Sequence, residues 1–165
     1  VIGLVGHGGL SAGVLEVVAR ELEGALEGVA PVGDPVVVRA AARLPVVAGR
    51  AARRVGRPVV VVLPARGSLP EGDRRAAGEL LALAERVHLL PYDPAVRQDR
   101  VAADEQLVRC CRQLVAVWDG SPSDGRDATA HLVAFAGGLG KPVRVVWPAG
   151  TVRYAGCGGA GKGAR

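Results

Sequence analysis

The sequence predicts an α/β domain with a mostly parallel, Rossmann-like sheet of about six strands flanked by helices. Three observations predict it. Short aliphatic runs recur at residues 1–6, 35–39, 58–64, 87–91, 114–119 and 142–148. Amphipathic segments separate them, the alternation that lays crossover helices over parallel strands. Several runs are also apolar at nearly every position, as strands buried on both faces are, and these are expected inside the sheet.

Length and composition agree with that class. The 165 residues suit one domain, assigned to residues 1–148, large enough to bury a core without staples. Hydrophobic residues make up 49% of the chain but aromatics only 3%, so aliphatic strands and Ala-rich helices must fill the core. The net charge of +5 suits an anionic ligand. The arginines are scattered, however, and no basic helix face carries interleaved aromatics, which argues against a nucleic-acid partner and favours solvated helix faces. Cys110, Cys111 and Cys157 form an odd set without CxxC spacing, against a disulfide framework or zinc site. A reducing, cytoplasmic location is expected, with no metal or other cofactor. The opening Val1-Ile2-Gly3-Leu4-Val5-Gly6 has no basic flank and breaks at glycines, so it reads as a strand and not as a signal peptide or membrane span.

The elements follow in order. After the first strand, Ser11 is placed to cap a helix whose apolar stripe is Leu15, Val18, Ala19, Leu22 and Leu26. The second strand runs into a loop, Arg39-Ala40-Ala41-Ala42-Arg43-Leu44-Pro45, and the third ends at Pro64. Ala77, Leu80, Leu81 and Ala84 mark a helix before the fourth strand. Ala103, Leu107, Cys110 and Cys111 mark another before the fifth, so both cysteines are expected to face the sheet as small buried hydrophobes. The last helix begins near Asp127, presents Leu132, Phe135, Ala136 and Leu139, and is stopped by Gly137, Gly138 and Gly140 ahead of the sixth strand. Beyond Pro148 the composition turns to Gly, Ala and Arg, and a flexible tail is expected over 149–165. Gly161-Lys162 has neither the spacing nor the following Ser/Thr of a phosphate-binding P-loop.

In an open α/β sheet, ligands sit beyond the carboxyl ends of the strands where the chain order reverses. Three turns there carry candidate residues for a nucleotide-like ligand. In Gly6-His7-Gly8-Gly9-Leu10-Ser11 a strand gives way to a glycine turn and a helix start, where backbone N–H groups favour an anion. The plainer role is a tight turn, and His7 there either meets a phosphate or faces solvent. Ser11 stands where GxGxxG has its last glycine, and Arg39 stands where a ribose-binding carboxylate would end the second strand, which disfavours ordinary NAD binding. In Trp118-Asp119-Gly120 the carboxylate either reaches a ribose hydroxyl or base edge or shapes the turn. In Asp124-Gly125-Arg126-Asp127-Ala128-Thr129 the Thr129 N–H and hydroxyl are expected to point into the same crevice. Arg66, after the third strand, is near enough in this topology to meet a phosphate. No Ser/His/Asp set, HExxH motif or spaced carboxylate pair supports nucleophilic, zinc or glycosidase chemistry.

Val5-Gly6-His7-Gly8-Gly9-Leu10-Ser11, Leu114-Val115-Ala116-Val117-Trp118-Asp119-Gly120, the Thr129-Ala130 helix start and Lys141-Pro142-Val143 together resemble the SLOG superfamily over most of residues 1–148. That resemblance implies a Rossmann-like module of the kind found in nucleotide sensors, DNA-processing proteins and the LOG phosphoribohydrolases, and the chain looks most like small members from high-GC actinobacteria. The second half is also similar to nucleoside deoxyribosyltransferases. The resemblance places the family's catalytic glutamate at Leu132, reduces the LOG Pro-Gly-Gly-x-Gly-Thr motif to Gly125-Arg126-Asp127-Ala128-Thr129, and leaves Gly49 followed by Arg50 where an acidic residue belongs. It therefore implies a sensor-type module that binds a nucleotide or its derivative without strong catalysis. An N-glycosidic hydrolase or transferase, with Asp119, Asp124 or Asp127 replacing the lost glutamate, is the enzyme alternative, and a degenerate interaction module is the third. A homodimer is compatible with each.

Overall fold

The computed structural model describes residues 1–153. The elements alternate strictly: β1 (Ile2–Gly6), α1 (Ala12–Glu27), β2 (Val36–Arg39), α2 (Leu44–Arg54), β3 (Val59–Pro64), α3 (Glu71–Leu83), β4 (Arg86–Leu90), α4 (Arg97–Cys110), β5 (Gln113–Val117), α5 (Thr129–Gly138) and β6 (Val143–Val146). All six strands pair in parallel in one sheet, ordered β4-β3-β2-β1-β5-β6. The chain runs outward from β1 to β4, then crosses back to β5 on the far side of β1. Because such crossovers are right-handed, the reversal sends α1, α2 and α3 to one face and α4 and α5 to the other. The contacts of α1 with α2, α2 with α3, and α4 with α5 follow that division.

Alternate residues of the strands feed the two cores. Ile2, Leu4, Val36, Val38, Val59 and Val61 pack with Val18, Leu22, Leu26 and Leu80 of the first helical layer. Val5, Leu114 and Ala116 meet Val108, Leu132 and Ala136 on the other face, and Val62 meets Ala103 and Leu107. At the amino ends of β2 and β3, Arg57 is only 3% exposed. Its guanidinium donates to the carbonyls of Leu26 (2.9 Å), Pro31 and Asp34 (3.1 Å each) and Val29.

Four expectations need correction. The apolar runs that form β4 and β6 are edge strands and not interior ones, with Leu89 63% and Val145 49% exposed. The segment after β2 is not a loop throughout, because α2 begins at Leu44 with a proline in its first turn. The cysteines part company: Cys111 is buried and caps α4, whereas Cys110 is exposed. Neighbouring helical residues point about 100° apart, so one apolar stripe could not hold both. On α3 the buried side is Ala76, Ala77 and Leu80, and Leu81 turns outward.

Candidate functional site

The switch point lies between β1 and β5, and the chain is built there for close approach. A Cβ on Gly6 would stand 2.6 Å from Leu44 Cδ2, 2.7 Å from Val117 Cβ and 2.8 Å from the Val117 carbonyl oxygen, so glycine alone lets β1 end against β5. Beyond it Gly8 has open space around it, and Gly9 turns the chain at φ +68°. Leu10 is fully buried, and Ser11 caps α1 by accepting from the Val14 N–H at 3.3 Å. That hydroxyl accepts for the helix and keeps its own O–H, and the turn offers open surface at Gly8 and Gly9.

His7 does not face solvent. Its ring is 1% exposed and joins three segments. Nδ1 lies 2.7 Å from Asp127 Oδ2 and Nε2 lies 2.8 Å from Asp119 Oδ1, while Trp147 of the segment after β6 stands edge-on to the ring at 5.7 Å. Asp119 Oδ1 also accepts from the Ser121 N–H (2.9 Å) and hydroxyl (2.5 Å). Burial opposes ionisation of Asp119, but the Ser121 and His7 hydrogen bonds outweigh it and bring its pKa down to about 2. Burial acts the same way on Asp127, and is overcome by His7 and by Thr129, which hold the carboxyl well below its ordinary range. The Thr129 N–H donates to Asp127 Oδ1 at 2.8 Å, so it closes the α5 turn instead of pointing freely into the crevice.

Residues 149–153, at the start of the expected tail, fold back over this cluster. The Trp147 indole donates to the Thr151 carbonyl, and Arg153 donates to Asp127 Oδ2 at 2.7 Å. Residues 154–165, including the Gly161-Lys162 pair and Cys157, lie outside the described residues.

On the α4 side of His7 and Asp127 is a cavity of about 150 Å³. Leu4, Val5, Leu44 and Leu132 form its apolar floor, and Gly8 borders it. Its charged lining is Arg39, Arg97, Arg100, Asp104, Arg126 and Asp127. Arg39 and Asp104 hold each other through two bonds, Nε to Oδ1 at 2.7 Å and Nη2 to Oδ2 at 2.9 Å. Burial works against the Arg39 charge, yet the adjoining carboxylate raises the group above its ordinary value. Arg97 and Arg100 donate to the carbonyls of Asp124 (2.7 Å) and Pro94 (2.8 Å). Among the described residues, Arg97, Arg100 and Arg126 form no ion pair.

The fold thus brings His7, Gly8, Asp119, Asp127 and Thr129 together. Gly120 is exposed in the turn beyond Asp119, at φ +87°. Arg66 is exposed beyond β3, two strands away from β1, and does not line the cavity. Sequence reasoning missed Arg97, Arg100, Asp104 and Arg126. A signal existed, because Arg97, Arg100, Val101 and Asp104 recur at i, i+3, i+4 and i+7, a second stripe on α4 beside the apolar one. No group of three or more His, Cys, Asp or Glu among the described residues is arranged to hold a metal ion, and no described helix is long and apolar enough to cross a membrane.

No family model matches the chain, and no curated protein matches it in sequence. A similar solved structure is the molybdenum cofactor carrier protein of Chlamydomonas reinhardtii, with TM-score 0.55 and 18% identity, covering 87% of this chain and 74% of that one. At that identity the likeness establishes a shared Rossmann-like architecture.

Proposed function

We propose that residues 1–148 form a SLOG-type module that holds an anionic, nucleotide-like small molecule at the β1/β5 switch point without strong catalysis. One observation carries this reading: three guanidiniums, Arg97, Arg100 and Arg126, surround a concave site with no carboxylate paired to them among the described residues. Like charges gathered around a cavity repel one another until an anion arrives, and guanidinium forks match phosphate oxygens. The volume of about 150 Å³ suits a phosphoryl group and part of a sugar, with a base left toward the open mouth at Gly8 and Gly9. Gly6, His7, Leu10 and Ser11 then shape the turn, Asp127 and Thr129 line the cavity beside it, and Asp119 with Gly120 supports His7 from the turn after β5, outside the cavity lining. Arg66 takes part only if its loop swings inward.

Weak or absent turnover is supported by the cavity floor. Leu132, buried at the position that the resemblance gives to a catalytic glutamate, can neither attack an anomeric carbon nor accept a proton. Asp127 is tied to His7, Thr129 and Arg153, which leaves it poorly placed as a substitute.

The test is calorimetric titration of adenosine 5′-monophosphate and inorganic phosphate, with chromatography for free adenine in the same samples. Binding without base release is expected. Gly8→Val should abolish binding of phosphorylated ligands and leave the fold intact, since its Cβ meets no neighbour but blocks approach to the backbone. Base release that disappears in Asp119→Asn or Asp127→Asn would establish a hydrolase instead, because loss of general acid–base assistance typically costs about a hundred- to ten-thousand-fold in rate. No binding and no release would favour an interaction module. Molybdenum cofactor, named for the structurally similar protein, belongs in the same panel.

A further inference from the structure

We infer that Asp104 reads the vicinal hydroxyls of a ribosyl phosphate and so sets the ligand class of the cavity; this rests on the anion-binding reading above. A Rossmann-type site takes its ribose carboxylate from the end of the second strand, where this sequence has Arg39. The structure restores a carboxylate to that place by another route. Arg39 reaches across to α4 and clamps Asp104 through Nε and Nη2, so the acceptor at the end of β2 comes from 65 residues further along the chain.

The clamp leaves chemistry to spare. Each Asp104 oxygen takes one N–H from Arg39 and keeps further acceptor capacity, and a carboxylate can only accept. The ligand portion beside it must therefore bring donors. A second phosphate would be repelled there, whereas a pair of adjacent hydroxyls satisfies both oxygens. The two-point hold also fixes the carboxylate before the ligand arrives, which lowers the ordering cost of binding.

The spacing fits one molecule. Arg100 and Asp104 are one helical turn apart on the cavity side of α4, about 6 Å along its axis. A phosphate held by Arg97 and Arg100 and a diol held by Asp104 then belong to the two ends of a single furanose ring. The alternative is an Arg–Asp pair that merely fastens β2 to α4, which would leave the cavity indifferent to sugar hydroxyls.

Calorimetry on the full chain separates the two. The probes are adenosine 5′-monophosphate, its 2′,3′-dideoxy analogue, ribose 5-phosphate and inorganic phosphate, titrated into wild type and Asp104→Asn. Wild type should bind the ribonucleotide at least about tenfold more tightly than the dideoxy analogue, since a lost hydrogen bond to a charged group costs on that order. In Asp104→Asn this ratio should fall to within about twofold. Ribose 5-phosphate binding more tightly than inorganic phosphate in wild type supports recognition of the sugar itself. Equal wild-type affinity for the ribonucleotide and its dideoxy analogue overturns the assignment, and this comparison needs no variant to fold. An unchanged ratio in a folded Asp104→Asn, confirmed by its thermal melt, overturns it too. If inorganic phosphate and all three phosphorylated probes fail to bind, the anion-site reading itself has failed and takes this inference with it.

Discussion

At the scale of single residues, His7 concentrates the physics of the switch point. Nδ1 meets the Asp127 carboxylate at 2.7 Å, and Nε2 meets both the Asp119 carboxylate at 2.8 Å and the Asp119 backbone N–H at 3.1 Å, so one buried ring ties the turn after β1 to the turn after β5 and to the start of α5. Asp119 and Asp127 are held below their ordinary pKa in the fold, so near pH 3 the unfolded chain binds more protons than the folded one. Their stabilisation is full above their ordinary pKa and is lost as pH falls toward about 2, the folded-state value of Asp119. Urea midpoints should therefore drop between pH 5 and pH 2.5, with a shallower dependence in Asp119→Asn. Identical slopes would mean that Asp119 does not contribute. Sequence could find Asp119, Asp127 and Thr129, because they lie in turns at the carboxyl ends of strands. It could not see that His7 would turn inward to meet two aspartates more than a hundred positions away, since that pairing is made by β1 and β5 lying side by side.

At the scale of elements, the strands were legible because six aliphatic runs separated by amphipathic segments permit little else. α2 was not, since Pro45 and Gly49 both read as loop residues and its apolar side is largely alanine. Its start is also unusual. Arg43 precedes it at φ 68°, a left-handed conformation that costs a side-chain-bearing residue energy, and its Nη1 donates to the Leu10 carbonyl at 2.8 Å, tying α2 to the glycine turn. The opposite end of the sheet depends on Arg57, whose four carbonyl partners come from the end of α1 and the segment leading into β2. Arg57→Met should cost about 3 kcal/mol, because buried carbonyls would lose charge-assisted donors. For a domain of this size that is a fall in melting temperature of roughly 6–12 °C. Arg57→Lys should not restore it, since an ammonium cannot span the same fork. A melt within 2 °C of wild type would remove Arg57 from this role.

At the scale of the whole molecule, the reversal of strand order produces both a buried centre and two open margins. β4 is the barer margin, with Val87 and Leu89 exposed on a strand that, among the described residues, pairs only with β3. Unpaired strand edges invite association, and lysine is a common guard on them. Leu89→Lys should change stability by less than about 0.5 kcal/mol and reduce light scattering during prolonged warming. Undiminished scattering would place the association-prone surface elsewhere. The apolarity of β4 and β6 hid their marginal positions, since strand order is decided by crossovers and not by the strands themselves. The same order imposes a schedule on synthesis. β1 is made before the other strands of its sheet, yet its partner on one side, β5, pairs Ile2 with Gln113, 111 residues later. At about 5–20 residues per second, a ribosome needs roughly 5–20 s to supply that partner. For that interval one edge of the central strand stands open, which makes the nascent chain a client for whatever shields unfinished sheets in the cell.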